Sequence, residues 1–353
     1  MIICNIQKKL SKNFSLNISF KTSGEFCLGI LGASGSGKSM ILKCIAGIEK
    51  PDKGFISIDD SILFDSEKKI NLKPQERRTG YLFQNYALFP TMSVLENIIA
   101  PLNFPRETKL KTAHYWMEKL DLCGLEQNLP GKLSGGQQQR VAIARMLICK
   151  PKSVLFDEPF SALDTNLREY MQLEFTEFLR SGVFSNAILV THSRNEAFKL
   201  CNEIIIIDNG NIIIQGDSQT VFQNPQTVRA AEITGCKNIS RIRRISEKEI
   251  DAIDWGIKLY THHPVYKNIT HAGIRAHNIM VADSKGYNEI DVNLIREIPE
   301  LFETTVIFVN SSVSGAKEIY WKHPRNNFSA GTGLPQKLFF PPESILLLSE
   351  IDS

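Results

Sequence analysis

The sequence predicts an α/β fold in which a mostly parallel sheet is covered by helices on both faces, followed by a smaller all-β region. Three features carry that expectation. Short continuous apolar runs at 26–31, 154–156 and 187–190 have the length and composition of strands buried on both faces. Between such runs lie segments with apolar residues three and four apart, such as Ile41, Leu42, Ile45 and Ile48, which read as helices. Beyond about Cys236 the helical periodicity fades, and short β-like segments separated by Gly, Pro and Asn take over. At 353 residues the chain is long enough for two domains, expected at 1–235 and 236–353, with a helical subdomain at about 85–150.

Phe14, Leu16, Ile18 and Phe20 alternate with polar residues and predict a half-buried strand. The apolar run that follows leads into Gly32, Ala33, Ser34, Gly35, Ser36, Gly37, Lys38 and Ser39, and then into a helix. Strand, glycine loop and helix are the context that makes G-x-x-x-x-G-K-[ST] a phosphate cradle. Glycines let successive backbone N–H groups curl around a phosphate, and the helix adds its positive end. Lys38 would reach the outer phosphates as a point charge, and the Ser39 hydroxyl would ligate Mg²⁺. The loop therefore predicts a nucleoside triphosphate with its metal.

Next come a strand at 55–59, a strand at 80–84 that ends on Gln84, and an aromatic-rich loop at 85–90. Segments 93–100 and 107–122 are patterned as helices, the second with Trp116, Met117 and Leu120 on one core-facing side. Ser134, Gly135, Gly136 and Gln137 open a helix carrying Val141, Ile143, Ala144, Leu147 and Ile148. Residues 153–159 form a buried strand that emerges at Asp157 and Glu158, and a helix runs on to about 180. The strand at 187–192 has His192 at its exit, and 203–215 is a hairpin closed by Asn209-Gly210.

Chemistry gathers at these exits. Asp157 leaves its strand toward the place where a Mg²⁺ on Ser39 would lie, and would complete an all-oxygen octahedral shell, commonly through water. Glu158 is then placed to orient or deprotonate an attacking water. The pair Gly135-Gly136 has no evident packing job, so N–H groups, the Ser134 hydroxyl and a helix dipole aimed at a phosphate are expected instead. One chain does not readily bring two such loops to one nucleotide. Two chains head to tail would, sandwiching two ATP molecules.

A formal charge of +3 is too mild to argue for a nucleic-acid partner. No stretch approaches the roughly 18 apolar residues that cross a bilayer, and the first residues lack the order of a signal peptide. Any membrane role is then expected to come through a partner chain. The cysteines, at 4, 27, 44, 123, 149, 201 and 236, show no C-x-x-C pair and suit reduced thiols.

In their order along the chain, residues 32–39, Gln84, 133–140, 154–158, 161–164 and His192 resemble the Walker A, Q-loop, signature, Walker B, D-loop and H-loop motifs of ABC transporter ATP-binding subunits. The likeness spans about residues 1–235. It implies the P-loop NTPase fold of ABC ATPases, ATP and Mg²⁺ as cofactors, Gln84 on the metal and the attacking water, and His192 on the γ-phosphate. With Glu158 and Lys38, these two make up the expected catalytic set, and Ser39, Gln84 and Asp157 the metal set. It further implies a homodimer at the cytoplasmic face of the membrane, attached to integral-membrane permease subunits and served indirectly by an extracytoplasmic substrate-binding protein. Ser193 stands where the family more often has Asp. Phe14 is the nearest candidate for an adenine-stacking aromatic, although its alternation with Leu16 explains it equally as core.

Residues 273–279 and 340–344 resemble parts of the accessory OB/TOBE-like β-barrel carried by ATPases of oxyanion and sugar importers. Residues 73–84 look most like molybdate-importer ATPases and share much with sulfate, iron(III) and polyamine ones. The expected function is thus an ATPase driving an oxyanion importer, with molybdate as the expected anion and a sulfate, iron(III) or polyamine importer as the alternative, through the surface near Tyr86, Leu88 and Phe89. The alternative from another class is an anion-sensing regulatory module in 236–353. Residues 241–244 are expected to be a solvated linker face. His262, His263, His271 and His277 lack the spacing of a zinc site and read as ordinary histidines.

Overall fold

The computed structural model describes residues 1–22, 27–161, 163–180, 185–282, 286–325 and 334–350. Phe26 of the first apolar run and Ala162 of the 161–164 loop lie outside them. The chain divides into two compact units, Met1–Val221 and Phe222–Ser353.

The first unit runs β1 (Ile2–Lys9), β2 (Ser15–Lys21), β3 (Cys27–Gly32), α1 (Lys38–Ala46), β4 (Lys53–Ile58), β5 (Ser61–Asp65), β6 (Ile70–Asn71) and β7 (Thr79–Leu82). It continues with α2 (Val94–Ile99), α3 (Arg106–Lys119), α4 (Gly135–Leu147), β8 (Ser153–Asp157), α5 (Thr165–Arg180), β9 (Asn186–Thr191), α6 (Arg194–Leu200), β10 (Glu203–Asp208) and β11 (Asn211–Asp217). All the strands join one 11-stranded sheet in the order β6-β5-β4-β1-β2-β11-β10-β3-β9-β8-β7.

The sheet is mixed. Pairing is parallel from β10 through β3, β9 and β8 to β7. In this half every residue of β3, β8 and β9 is buried, as the continuous apolar runs require. The other half, β6 to β2, is antiparallel, so the mostly parallel expectation describes only the half that carries the glycine loop. Short connections impose this within the β1–β2, β4–β5 and β5–β6 pairs, because a tight turn such as that at Asp59, with φ 50°, joins antiparallel strands only. Strand β2 alternates buried and exposed along its length, with Leu16, Ile18 and Phe20 inward. The β10–β11 hairpin turns on Asn209 and Gly210, at φ 44° and 78°. Helices α2, α3 and α4 close on a separate cluster that includes Val94, Ile98, Ala113, Met117, Val141 and Ala144, with Trp116 and Leu120 packed against it.

The second unit contains two five-stranded sheets. One orders Ile257–Tyr260, Glu249–Ala252, Asn238–Arg244, His271–Ile274 and Leu346–Leu348. The other orders Met280–Val281, Lys337–Phe339, Glu289–Pro299, Glu303–Asn310 and Ile319–Pro324. Trp255, Phe308 and Phe340 are among the large side chains of their common core. Residues 241–244 are a paired strand rather than a linker, and Arg241 binds the buried Asp254 carboxylate at 2.8 Å. Residues 342–344 form a 3-10 turn, and the strand that pairs with His271–Ile274 begins after it. The short helix Val228–Ile233 packs within this unit, where Ala231 meets Cys236 and Leu348 and Arg275 donates to the Thr234 carbonyl at 2.9 Å.

Candidate functional site

Parallel pairing aligns the carboxyl ends of β3, β9 and β8, and the glycine loop with Lys38 and Ser39, the pair Asp157 and Glu158, and His192 lie at or just past those ends. Gly32 closes β3 and is forced by space, since a Cβ there would stand 2.3 Å from the Ile207 carbonyl oxygen of β10. Gly37, at φ 102°, is the N-cap of α1, and a Cβ on it would collide with Leu16 at 2.3 Å. Neither point can take a side chain without displacing its packed neighbours. Lys38 is buried, and its ammonium donates to the carbonyls of Gly32 at 3.0 Å and Ala33 at 2.8 Å. Burial pushes its pKa below the ordinary lysine value, while Glu158 and Asp157 nearby pull it back up. The Ser36 hydroxyl is buried without a hydrogen-bond partner among the described residues. Phe14 is half-buried on the core, with its Cε1 3.6 Å from where a Gly37 Cβ would stand.

Ser39 donates its hydroxyl to Asp157 Oδ1 at 2.7 Å, joining the first turn of α1 to the end of β8. Tyr81 of β7 donates to the other carboxylate oxygen at 2.8 Å. Burial first, and then Asp157, raise the Tyr81 pKa, so the phenol stays a donor. Glu158 follows with φ 48°, a left-handed backbone uncommon for a glutamate. It is held there by its N–H to the Val190 carbonyl at 3.0 Å and by Ser161 Oγ donating to its carbonyl at 2.9 Å. His192 Nδ1 lies 3.1 Å from Glu158 Oε2, a separation at which the ring N–H donates to the carboxylate. Ser193 caps α6 by accepting from the Glu196 N–H at 3.3 Å, so the serine fills the capping role locally.

Gln84 is exposed just past β7. After it the backbone takes two consecutive positive φ values, at Tyr86 (59°) and Ala87 (45°). The Arg145 guanidinium of α4 holds this turn, donating to both carbonyls at 2.8 Å. Tyr86 is buried, its hydroxyl on the Pro159 carbonyl at 3.3 Å, so of the three residues expected at a docking surface it is an internal one. Phe89 is exposed and carries Arg145 over its ring.

Ser134, Gly135, Gly136 and Gln137 form a separate cluster at the start of α4. Ser134 and Gln137 exchange hydrogen bonds in a capping box, at 2.9 and 3.3 Å. Contrary to the sequence reading, the two glycines do have a packing job. A Cβ at Gly136 would stand 3.0 Å from Leu167, and one at Gly135 3.2 Å from Leu163, so they let α4 approach the start of α5.

The sequence reading missed Tyr81, Arg145 and Arg77. Arg77 is buried and donates to the carbonyls of Cys44, Ile45 and Leu72 and to Asn71 Oδ1, at 2.7 to 2.9 Å, so it caps the far end of α1. Arg77 follows a proline-containing turn at 73–76, whereas Arg145 lies inside α4, where nothing local marks it. Tyr81 carries no local signal at all.

A family model described as ABC transporter matches residues 16–161. The chain is 36% identical over 241 residues to a probable sulfate/thiosulfate import ATP-binding protein of Chlorella vulgaris, covering 67% of this chain and 99% of that one. It is 41% identical over 221 residues to a spermidine/putrescine import ATP-binding protein of Nitratidesulfovibrio vulgaris, covering 62% of this chain and 58% of that one. An Fe(3+) ions import ATP-binding protein of Escherichia coli O157:H7 is 34% identical over 283 residues, 79% of each chain. A solved dimeric ATP-binding cassette in a post-hydrolysis state, bound to ADP and Pi, superposes with TM-score 0.52 at 30% identity, covering 62% of this chain and 99% of that one. With a phosphate loop of this geometry and relatives matched along most or all of their length, the chain belongs to the ABC transporter family, among its ATP-hydrolysing ATP-binding proteins.

Proposed function

We propose that this chain energises an importer, working as a homodimer that hydrolyses ATP at the ends of β3, β8 and β9. The observation that carries the reading is the meeting of Ser39 and Asp157 at 2.7 Å beside a loop whose two ends only glycine fits. The residues suit the cofactors: the α1 N-terminus, the ammonium of Lys38 and the Ser36 hydroxyl, unpartnered among the described residues, for the triphosphate, and all-oxygen donors for Mg²⁺. Ser39 and Asp157 would hold the metal, with Gln84 joining them from its exposed turn. Bound there, Mg²⁺ would neutralise charge on the outer phosphate oxygens.

In this scheme Lys38 draws the outer phosphates toward the α1 N-terminus, and Glu158 takes up the proton of the attacking water. His192 keeps the Glu158 carboxylate turned toward the nucleotide and reaches the γ-phosphate itself. Ser134, Gly135, Gly136 and Gln137 would serve the nucleotide of a second copy, as the dimeric cassette relative suggests. Phe14, beside the loop, is the candidate for the adenine face. Association with the membrane would be peripheral, through permease subunits. Among the described residues no helix is long and apolar enough to cross a bilayer. A groove of about 700 Å³ lined by Tyr81, Phe83, Phe89, Pro101, Arg145 and Met146 is where a permease would dock.

Relatives named for sulfate, Fe(3+) and polyamine import support a small ionic solute. The narrower molybdate reading rests on residues 73–84, with sulfate, iron(III) and polyamines as the alternatives. The test is Glu158→Gln. ATP binding should persist, turnover should fall roughly 100-fold or more, and light scattering should show an ATP-dependent dimer. Normal turnover would remove Glu158 from the reaction.

A further inference from the structure

Asp157 is held by two hydroxyls rather than one. Oδ1 takes the Ser39 proton at 2.7 Å and Oδ2 takes the Tyr81 proton at 2.8 Å, and among the described residues no third hydrogen-bond donor reaches this carboxylate. A carboxylate anchored at one oxygen turns easily about its Cβ–Cγ bond, because that torsion is broad. Anchored at both, it presents one orientation. Tyr81 is itself well fixed. It pairs with Leu155 in the parallel β7–β8 ladder, two residues before Asp157, and its ring packs on Phe83 with centroids 4.4 Å apart.

We propose that Tyr81 is a positioning residue whose hydroxyl sets the rotation of the Asp157 carboxylate, so that Oδ1 faces Ser39 and the divalent cation this pair would hold. The proposal rests on the reading of Ser39 and Asp157 as the Mg²⁺ site. Outer partners that orient a ligating carboxylate change metal affinity, whereas a purely structural tyrosine changes fold stability. The two roles are therefore separable by measurement.

The experiment uses the full chain and a fluorescent ATP analogue, titrated in EDTA and across a Mg²⁺ series, with the melting temperature recorded alongside. For Tyr81→Phe, which keeps the ring and removes only the hydroxyl, affinity in EDTA should stay within about twofold while the Mg²⁺ concentration at half effect rises roughly tenfold. Tyr81→Met fills similar space without a donor, should show the same split, and decides the matter if the first variant does not fold. If the unmodified chain binds the analogue equally with and without Mg²⁺, the metal reading of Ser39 and Asp157 fails. If it responds to Mg²⁺ and both variants respond at the same concentration, the role of Tyr81 fails. Equal weakening in EDTA and Mg²⁺ with a lowered melting temperature would make Tyr81 structural and overturn the proposal.

Discussion

Replacing Arg77 by methionine should destabilise the first unit by about 3 kcal/mol. The guanidinium donates to Cys44 O at 2.7 Å, Ile45 O and Leu72 O at 2.9 Å, and Asn71 Oδ1 at 2.9 Å. Methionine keeps the aliphatic stem, so little packing is lost. The Leu72 and Asn71 oxygens lie near the surface, where water can replace the donor. The Cys44 and Ile45 carbonyls at the end of α1 are buried, and each orphaned acceptor costs roughly 1–3 kcal/mol. Removing a cation from a helix C-terminus adds up to about 1 kcal/mol. Against this stands relief from burying the charge, a cost visible in the lowered pKa of Arg77, which burial dominates. At roughly 2–4 °C per kcal/mol for a unit of this size, the first thermal transition should fall by about 6–12 °C. Calorimetry is the assay, because a chain of two units need not melt in one step. Arg77→Lys should recover only part of the loss, since one ammonium cannot span four acceptors. A transition within 2 °C of the parent for Arg77→Met would refute the capping argument.

Gly32→Ala should abolish nucleotide binding or solubility, because its Cβ would stand 2.3 Å from the Ile207 carbonyl oxygen, which is backbone and cannot swing away; a variant that binds ATP normally would show the strand spacing to be looser than described. Asp254 predicts a pH dependence in the second unit. Burial raises its pKa, but bonds from Arg241 and Lys317 outweigh this and hold the carboxyl well below the usual carboxylate range. A depressed folded-state pKa contributes stability that is present above the unfolded value near 3.9 and lost as pH falls toward the folded one. Urea midpoints of the second unit should therefore be steady above about pH 5 and drop below about pH 4, and Asp254→Asn should be weaker at neutral pH with a smaller acid slope.

What the sequence made legible was whatever its chemistry kept contiguous. Residues 32–39 hold strand exit, glycines, lysine and serine in one run, and Asp157-Glu158 sits at the end of an unbroken apolar strand. The Asn209-Gly210 turn announced itself because few other residue pairs accept two positive φ values in succession. What stayed hidden depended on partners far apart in the chain. Tyr81 meets Asp157 across 76 positions, and Arg145 meets the Ala87 carbonyl across 58. Neither pairing follows from local propensity, because register between β7 and β8 decides the first and the approach of α4 decides the second. The glycines at 135 and 136 misled for the same reason. Their packing partner, α5, follows an intervening strand. The antiparallel half of the sheet was under-read although Ile2, Cys4 and Ile6 of β1 alternate cleanly, because β1 pairs with β4 across more than forty residues and β6 is only two residues long.

The lysine that folds back onto Gly32 and Ala33 has a thermodynamic consequence. A flexible glycine-rich segment ordinarily surrenders much chain entropy when it wraps a guest. Here an internal cross-brace from Lys38 to two main-chain oxygens already imposes the curl, so that loss falls on folding instead of on capture. An arriving polyanion needs only to exchange one pair of oxygens for another around a cation that burial has stripped of much of its water.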